Sequence, residues 1–141
     1  LPASTLWLLL RVLPASARLL HSIGRSEHIS PVLRDLGWLS IPQRIDLRLS
    51  CLTFSCLRGS APAYLSDELN MVTSVPGRRH LRSAATGRLA VPRVRHRTLG
   101  GRAFGPSAAA SWNRLPCDFT KTLPSSLPLF KSRVKNFLQS L

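Results

Sequence analysis

Acidic residues are scarce in this chain. Six Asp and Glu stand against 20 Lys and Arg in 141 residues, a formal charge of +14. That balance excludes an acidic solvating tail and argues against a binder of small cations. A two-metal polymerase or nuclease centre needs several converging carboxylates. Here the acids are scattered singly apart from Asp67-Glu68. Cysteine is also sparse. Cys51, Cys56 and Cys117 are odd in number and form no C-x-x-C, so neither a disulfide framework nor a zinc knuckle is implied. A reducing compartment, cytoplasmic or nuclear, fits best. The histidines His21, His28, His80 and His96 are scattered, none at ligand-like spacing from a Cys or carboxylate. No phosphate-cradling G-x-x-x-x-G-K-[ST] loop, H-E-x-x-H or nucleophile elbow occurs. No cofactor, metal, small-molecule substrate or independent enzyme activity is expected. Long apolar runs are missing too. Leu6-Trp7-Leu8-Leu9-Leu10 stops at Arg11, far short of the roughly 20 residues that span a bilayer. Pro14-Ala15-Ser16-Ala17 has the look of a cleavage site, but no basic segment precedes the apolar run. A packed amphipathic helix is therefore expected in place of a signal peptide, and no membrane partner. Aromatics make up only 6% of the chain.

What is present is apolar residue enough for one domain. The hydrophobic fraction is 44%, near the globular average. Eleven Pro and eight Gly cut the chain into short elements, so a modest and incomplete core is expected. The chain opens on Leu1 rather than Met, as expected of a processed or partial product. Residues 6–21 read as a helix, with a break at Pro14 as the alternative. Ser30-Pro31 reads as N-cap and first turn of a short helix, and Trp38 and Leu39 follow the turn at Gly37. Pro42 opens and Gly59 closes a longer helix over 42–58. Ile45, Leu49, Leu52 and Cys56 form its predicted apolar stripe. Ile41, Phe54 and Leu57 widen it, and Arg44, Arg48, Ser55 and Arg58 mark another side. A helix over 61–70 is predicted with Tyr64, Leu65 and Leu69 inward. Asp67 and Glu68 there suit the positive end of its dipole. A short helix is expected from Phe104 to Leu115. A last helix over 126–140 buries Leu127, Phe130, Val134, Phe137, Leu138 and Leu141, with Ser126 as its cap.

Between Leu69 and Cys117 the chain carries no acid at all. The same stretch holds Arg78, Arg79, Arg82, Arg88, Arg93, Arg95, Arg97, Arg102 and Arg114, with His80 and His96. Guanidinium groups bind phosphate bidentately and stack on bases. The stretch reads as a phosphate-backbone surface for RNA or DNA. The bland reading is a solvated basic face, or the cover of a missing partner domain. Arg78, Arg79, Arg82, Arg88, Arg93, Arg95, Arg97 and Arg102 are the candidate contact residues. Trp38, Trp112, Tyr64 and Phe104 are candidate stacking platforms, although core packing is the favoured role for each.

A series of short motifs carries a resemblance. His28-Ile29-Ser30-Pro31-Val32-Leu33-Arg34-Asp35-Leu36-Gly37-Trp38-Leu39 is followed by Arg44-Ile45-Asp46-Leu47, Leu52-Thr53-Phe54 and Gly59-Ser60-Ala61-Pro62-Ala63-Tyr64-Leu65. Then come Leu81-Arg82-Ser83, Val91-Pro92-Arg93, Gly101-Arg102-Ala103-Phe104, Trp112-Asn113-Arg114-Leu115-Pro116 and Phe130-Lys131-Ser132-Arg133-Val134-Lys135. In this order, from about Pro14 to Leu141, the chain resembles the C-terminal tail of a LINE-type (non-LTR, jockey and chicken-repeat-like) retrotransposon polyprotein. The resemblance implies a region that follows the reverse-transcriptase domain. It excludes the polymerase's A-D-D carboxylates and the endonuclease, so no catalytic residue is carried over. The chain departs from the family's pattern at Gly37-Trp38-Leu39-Ser40, at Phe54-Ser55 and at Ala109-Ala110-Ser111, as a decayed or repurposed copy would.

These readings predict a mainly α fold of short amphipathic helices, with one small β-ribbon around residues 89–103 admitted. An N-terminal helical segment at 1–24 precedes a basic tail domain at 25–141. The expected function is a non-catalytic module contacting RNA or DNA backbone during target-primed reverse transcription. One alternative is a docking segment for the reverse-transcriptase core through the apolar faces of helices 42–58 and 126–140. The other is the orphan product of a decayed element.

Overall fold

A computed structural model describes residues 3–75, 86–94 and 100–141. It is mainly α-helical, with seven α-helices among the described residues. They are α1 (Ala3–His21), α2 (Ser30–Asp35), α3 (Ile41–Leu57), α4 (Ala63–Ser66), α5 (Phe104–Asn113), α6 (Cys117–Lys121) and α7 (Leu127–Ser140). Short 3₁₀ turns lie at Val72–Ser74 and Gly100–Arg102. The chain forms two compact units, Leu1–Ile45 with Lys135–Leu141, and Asp46–Val134.

In the first unit, α1 runs through Pro14 without a break. Pro14 supplies no N–H to the preceding turn, and Ser16 Oγ donates to the Val12 carbonyl at 3.0 Å just beyond it. The cap of helix α2 lies one residue earlier than expected, at Ile29 and not at Ser30. Ile29 occupies the N-cap with no side-chain hydrogen bond, and Pro31 sits in the first turn. Its end is a Schellman motif. Trp38 N–H donates to the Leu33 carbonyl at 2.7 Å and Gly37 N–H to that of Arg34 at 2.8 Å, with Gly37 at φ +63°. Helix α3 opens on the return half of a capping box, with Gln43 Oε1 accepting from both the N–H and the Oγ of Ser40. Gln43 Nε2 then donates to the Leu138 carbonyl at 2.6 Å, tying the start of α3 to the end of α7. Among the described residues, Ala17, Val32, Leu39 and Leu138 are the buried apolar residues of this unit.

The second unit is built around stacked rings. Phe54 on α3 lies 4.5 Å from Phe130 on α7, centroid to centroid, and Phe130 lies 5.7 Å from Trp112 on α5. Leu47, Cys56, Leu89, Ala108, Ala109, Leu115 and Val134 complete the core. Small side chains let α3 and α5 approach, with Ser50 Oγ and Ser111 Oγ 3.5 Å apart and both residues buried. Gly59 closes α3 as expected, in a second Schellman motif from Ser60 to Ser55 and Gly59 to Cys56.

Several expectations are corrected. The buried face of α3 is Leu47, Ser50, Thr53, Phe54 and Cys56; Ile45 and Leu52 of the predicted stripe are exposed. Phe130, Val134 and Leu138 are buried on α7, but Leu127 and Leu141 are not. Helix α4 has four residues, not ten, and Tyr64 points outward at 70% exposure. Asp67 follows as its C-cap. Glu68 does serve a helix N-terminus, but that of α5, where its Oε2 accepts the Gly105 N–H at 2.9 Å. In place of a ribbon over 89–103, the described residues hold a single antiparallel bridge, Met71 to Leu89. Residues 95–99 lie outside the described residues. Pro92 has no N–H for a ladder, and the free edge of Leu89 is occupied by a side chain described below.

No helix among the described residues is long and apolar enough to cross a membrane.

Candidate nucleic-acid interface

Of the eight candidate arginines, Arg88, Arg93 and Arg102 are described, and all three are exposed. Arg78, Arg79, Arg82, Arg95 and Arg97 lie outside the described residues. The described three belong to the second unit.

Arg88 is presented by a tightly anchored segment. Thr86 O accepts from Thr120 Oγ1 at 2.7 Å, and Gly87 O accepts from the Trp112 indole Nε1–H at 3.0 Å. Leu89 donates its N–H to Asn113 Oδ1 at 3.0 Å and accepts from Asn113 Nδ2 at 2.8 Å. Its other edge carries the bridge, in which Val72 N–H donates to Arg88 O and Ala90 N–H to Asn70 O. Leu89 is thus buried with both flanks paired, and its neighbour Arg88 faces solvent. Gly87 is required here. It sits at φ +66°, and a Cβ would lie 2.2 Å from the Thr120 carbonyl oxygen.

Arg93 and Arg102 flank a second feature. A Cβ on Gly100 would meet Val94 Cβ at 3.0 Å, so Val94 packs directly on the Gly100 backbone. Arg93 and Arg102 lie one and two residues from that contact. The Gly100–Arg102 turn is held by Ser107 Oγ, which donates to Gly101 O at 2.9 Å. Pro92, Arg93 and Val94 are all exposed.

Among the described residues, no acid of this unit lies within ion-pair distance of the three arginines. Asp46 takes Arg114 in a bidentate pair, with both N–O distances 3.3 Å. Arg114, which lies in the acid-free stretch, is therefore paired with an acid from outside it. Glu68 is engaged at Gly105. Among the described residues, none of Arg88, Arg93 and Arg102 forms an ion pair.

The aromatic candidates separate. Trp112 is fully buried and committed to the core, Tyr64 is exposed, and Trp38 and Phe104 are half-buried. Sequence reasoning missed Trp112 and Asn113 as anchors of the arginine-bearing segment. The three consecutive residues Trp112-Asn113-Arg114 bind Gly87, Leu89 and Asp46 in turn. Their adjacency was the available signal.

The thiols are unpaired. Burial pushes the Cys51 thiol up from its ordinary pKa, with Lys131 opposing. Burial also raises that of Cys56, with a hydrogen bond to Ser66 opposing. Raised thiol pKa values make poor nucleophiles and metal ligands. No group of three His, Cys, Asp or Glu side chains converges among the described residues.

Set against known proteins, the chain matches no family model, no curated protein and no solved structure.

Proposed function

We propose that this chain is a non-catalytic basic module that grips the phosphate backbone of RNA or DNA. In this reading it descends from the tail that follows the polymerase in LINE-type retrotransposon proteins and serves target-primed reverse transcription. The observation that carries it is the acid-free arginine run from Arg78 to Arg102. Its described members Arg88, Arg93 and Arg102 are exposed, while the nearby acids Asp46 and Glu68 are engaged elsewhere. Unneutralised guanidinium groups displace counterions from a phosphate backbone, and that gain does not depend on base sequence.

Mobility-shift titration with RNA and DNA of scrambled sequences tests this. The expected dissociation constants lie at about 10⁻⁴–10⁻⁶ M near physiological salt and differ little among sequences. Absence of binding to all of them at low salt contradicts the reading.

One observation favours a second reading, docking onto a reverse-transcriptase core. Leu8, Val12 and Leu19 on α1 are exposed, and their spacing places them on one helix face. Helices α3 and α7, whose apolar faces were the expected docking faces, pack on each other through Phe54 and Phe130. Self-association of the isolated chain, abolished by Leu8→Ser with Leu19→Ser, is the outcome that favours docking.

A further inference from the structure

Trp38 lines a hollow of about 190 Å³ in the first unit. Residues of α2, of the loop after it, of the start of α3 and of the end of α7 form its walls. The backbone that carries the indole is fixed on both sides. Trp38 N–H closes the Schellman motif on Leu33, Gly37 before it sits at φ +63°, and Leu39 after it is buried. Arg44 Nε donates to the Leu39 carbonyl at 2.9 Å. Trp38 itself is only half-buried. It therefore brings an aromatic surface, on a fixed backbone, to the wall of the hollow.

The hollow is smaller than the about 300–1,000 Å³ of drug-sized sites, and its size suits one flat ring system. Most of its polar lining is already engaged. Gln43 uses both ends of its amide, accepting from Ser40 and donating to the Leu138 carbonyl. Gln139 Nε2 is closed to solvent. Little beyond the Ser30 hydroxyl is left to read the edge of a base. Stacking needs no such reading, because every base has a π-face. The charge beside the ring is positive. Arg34 lines the hollow from the last turn of α2, is exposed, and forms no ion pair among the described residues. A Cβ on Gly37 would stand 3.9 Å from Lys135 Nζ, so a second cation lies against the turn that carries Trp38. Neither Asp35 nor any other acid lines the hollow.

We propose that this hollow takes one base of a single-stranded nucleic acid, stacked on Trp38, with Arg34 and Lys135 toward the adjoining phosphates. Guanidinium forks match phosphate oxygens bidentately. A free nucleotide presents the same base and phosphate. The strand as the source rests on the function proposed above; the base-sized hollow does not.

The test titrates the full chain with adenosine monophosphate and follows indole fluorescence, which a stacked base quenches. The unaltered chain should be quenched. Trp38→Phe keeps a ring for stacking and removes that emitter, so calorimetry should still detect binding while the quench disappears. Trp38→Ala should bind at least about fivefold more weakly. Arg34→Gln should weaken the binding of adenosine monophosphate and leave that of adenosine unchanged. Failure of the unaltered chain to bind the nucleotide overturns the proposal. So does a quench that survives in Trp38→Phe, because the emitter is then another tryptophan. Single-stranded DNA and an abasic strand of equal length separate the two sources. The natural strand should bind the unaltered chain at least about fivefold more tightly than the abasic one, and Trp38→Ala should lose that difference. A natural strand no tighter than the abasic strand overturns the strand assignment. Failure of both strands to bind contradicts the function proposed above, and nucleotide binding with the Trp38 quench then supports the hollow on its own.

Discussion

Asn113 takes the place of a neighbouring strand at Leu89. Its amide satisfies the N–H and C=O that the Met71 bridge leaves over. Asn113→Ala leaves both groups of a buried residue without partners, a loss of about 1–3 kcal/mol in a denaturant melt. Gly87→Ala, which drives a methyl into the Thr120 carbonyl, should destabilise the same segment and expose it to proteolysis. Neither effect was legible in the sequence. A side chain that pairs with backbone 24 residues away leaves no periodicity to read. The arginines were legible, because charge is visible without a fold. At the thiols, burial raises the folded-state pKa of Cys51 and Cys56 above the ordinary value of 9.0. Below that value both states hold them neutral. Above it the unfolded chain ionises first, so stability falls as pH rises through the folded-state pKa values. The Cys51→Ala, Cys56→Ala variant should therefore lose less stability between about pH 8 and about pH 10 than the unaltered chain.

At the scale of elements, the helix ends were the most readable feature. Pro31, Gly37 and Gly59 stand where first-turn proline and left-handed C-cap glycine belong. The faces were harder. Along α3, Ile45, Leu49, Leu52 and Cys56 keep helical spacing, and so do Leu47, Ser50, Phe54 and Leu57. Hydrophobicity alone prefers the first set. The second set supplies Leu47, Ser50 and Phe54 to the buried face, where Ser50 meets Ser111 at close range and Phe54 meets Phe130, while the first supplies only Cys56. Helix 61–70 was overrun for a similar reason. Ser66 Oγ donates to the Cys56 carbonyl, and Glu68 leaves its own helix for the start of α5. Phe130→Ala should cost about 3–5 kcal/mol, as for other buried aromatic truncations. Ile45→Ala and Leu52→Ala should each stay within about 0.5 kcal/mol, as surface changes do. Equal costs in chemical denaturation would contradict this assignment of faces.

For the molecule as a whole, a net charge of +14 and an acid-free stretch of arginines are what support the proposed polyanionic partner. Buried Trp112 and half-buried Asn113 hold the Arg88 segment in place, which ties the core of the second unit to the surface proposed to bind. The most direct measurement of that claim is the salt dependence of RNA or DNA affinity, for the unaltered chain and for R93Q/R95Q/R97Q/R102Q. Each phosphate contact contributes a slope of about 0.9 in log K against log salt on duplex DNA, and about 0.7 on single strands. The account predicts a steep slope for the unaltered chain and a slope shallower by up to four such contributions in the variant. An equal slope in both chains would contradict it.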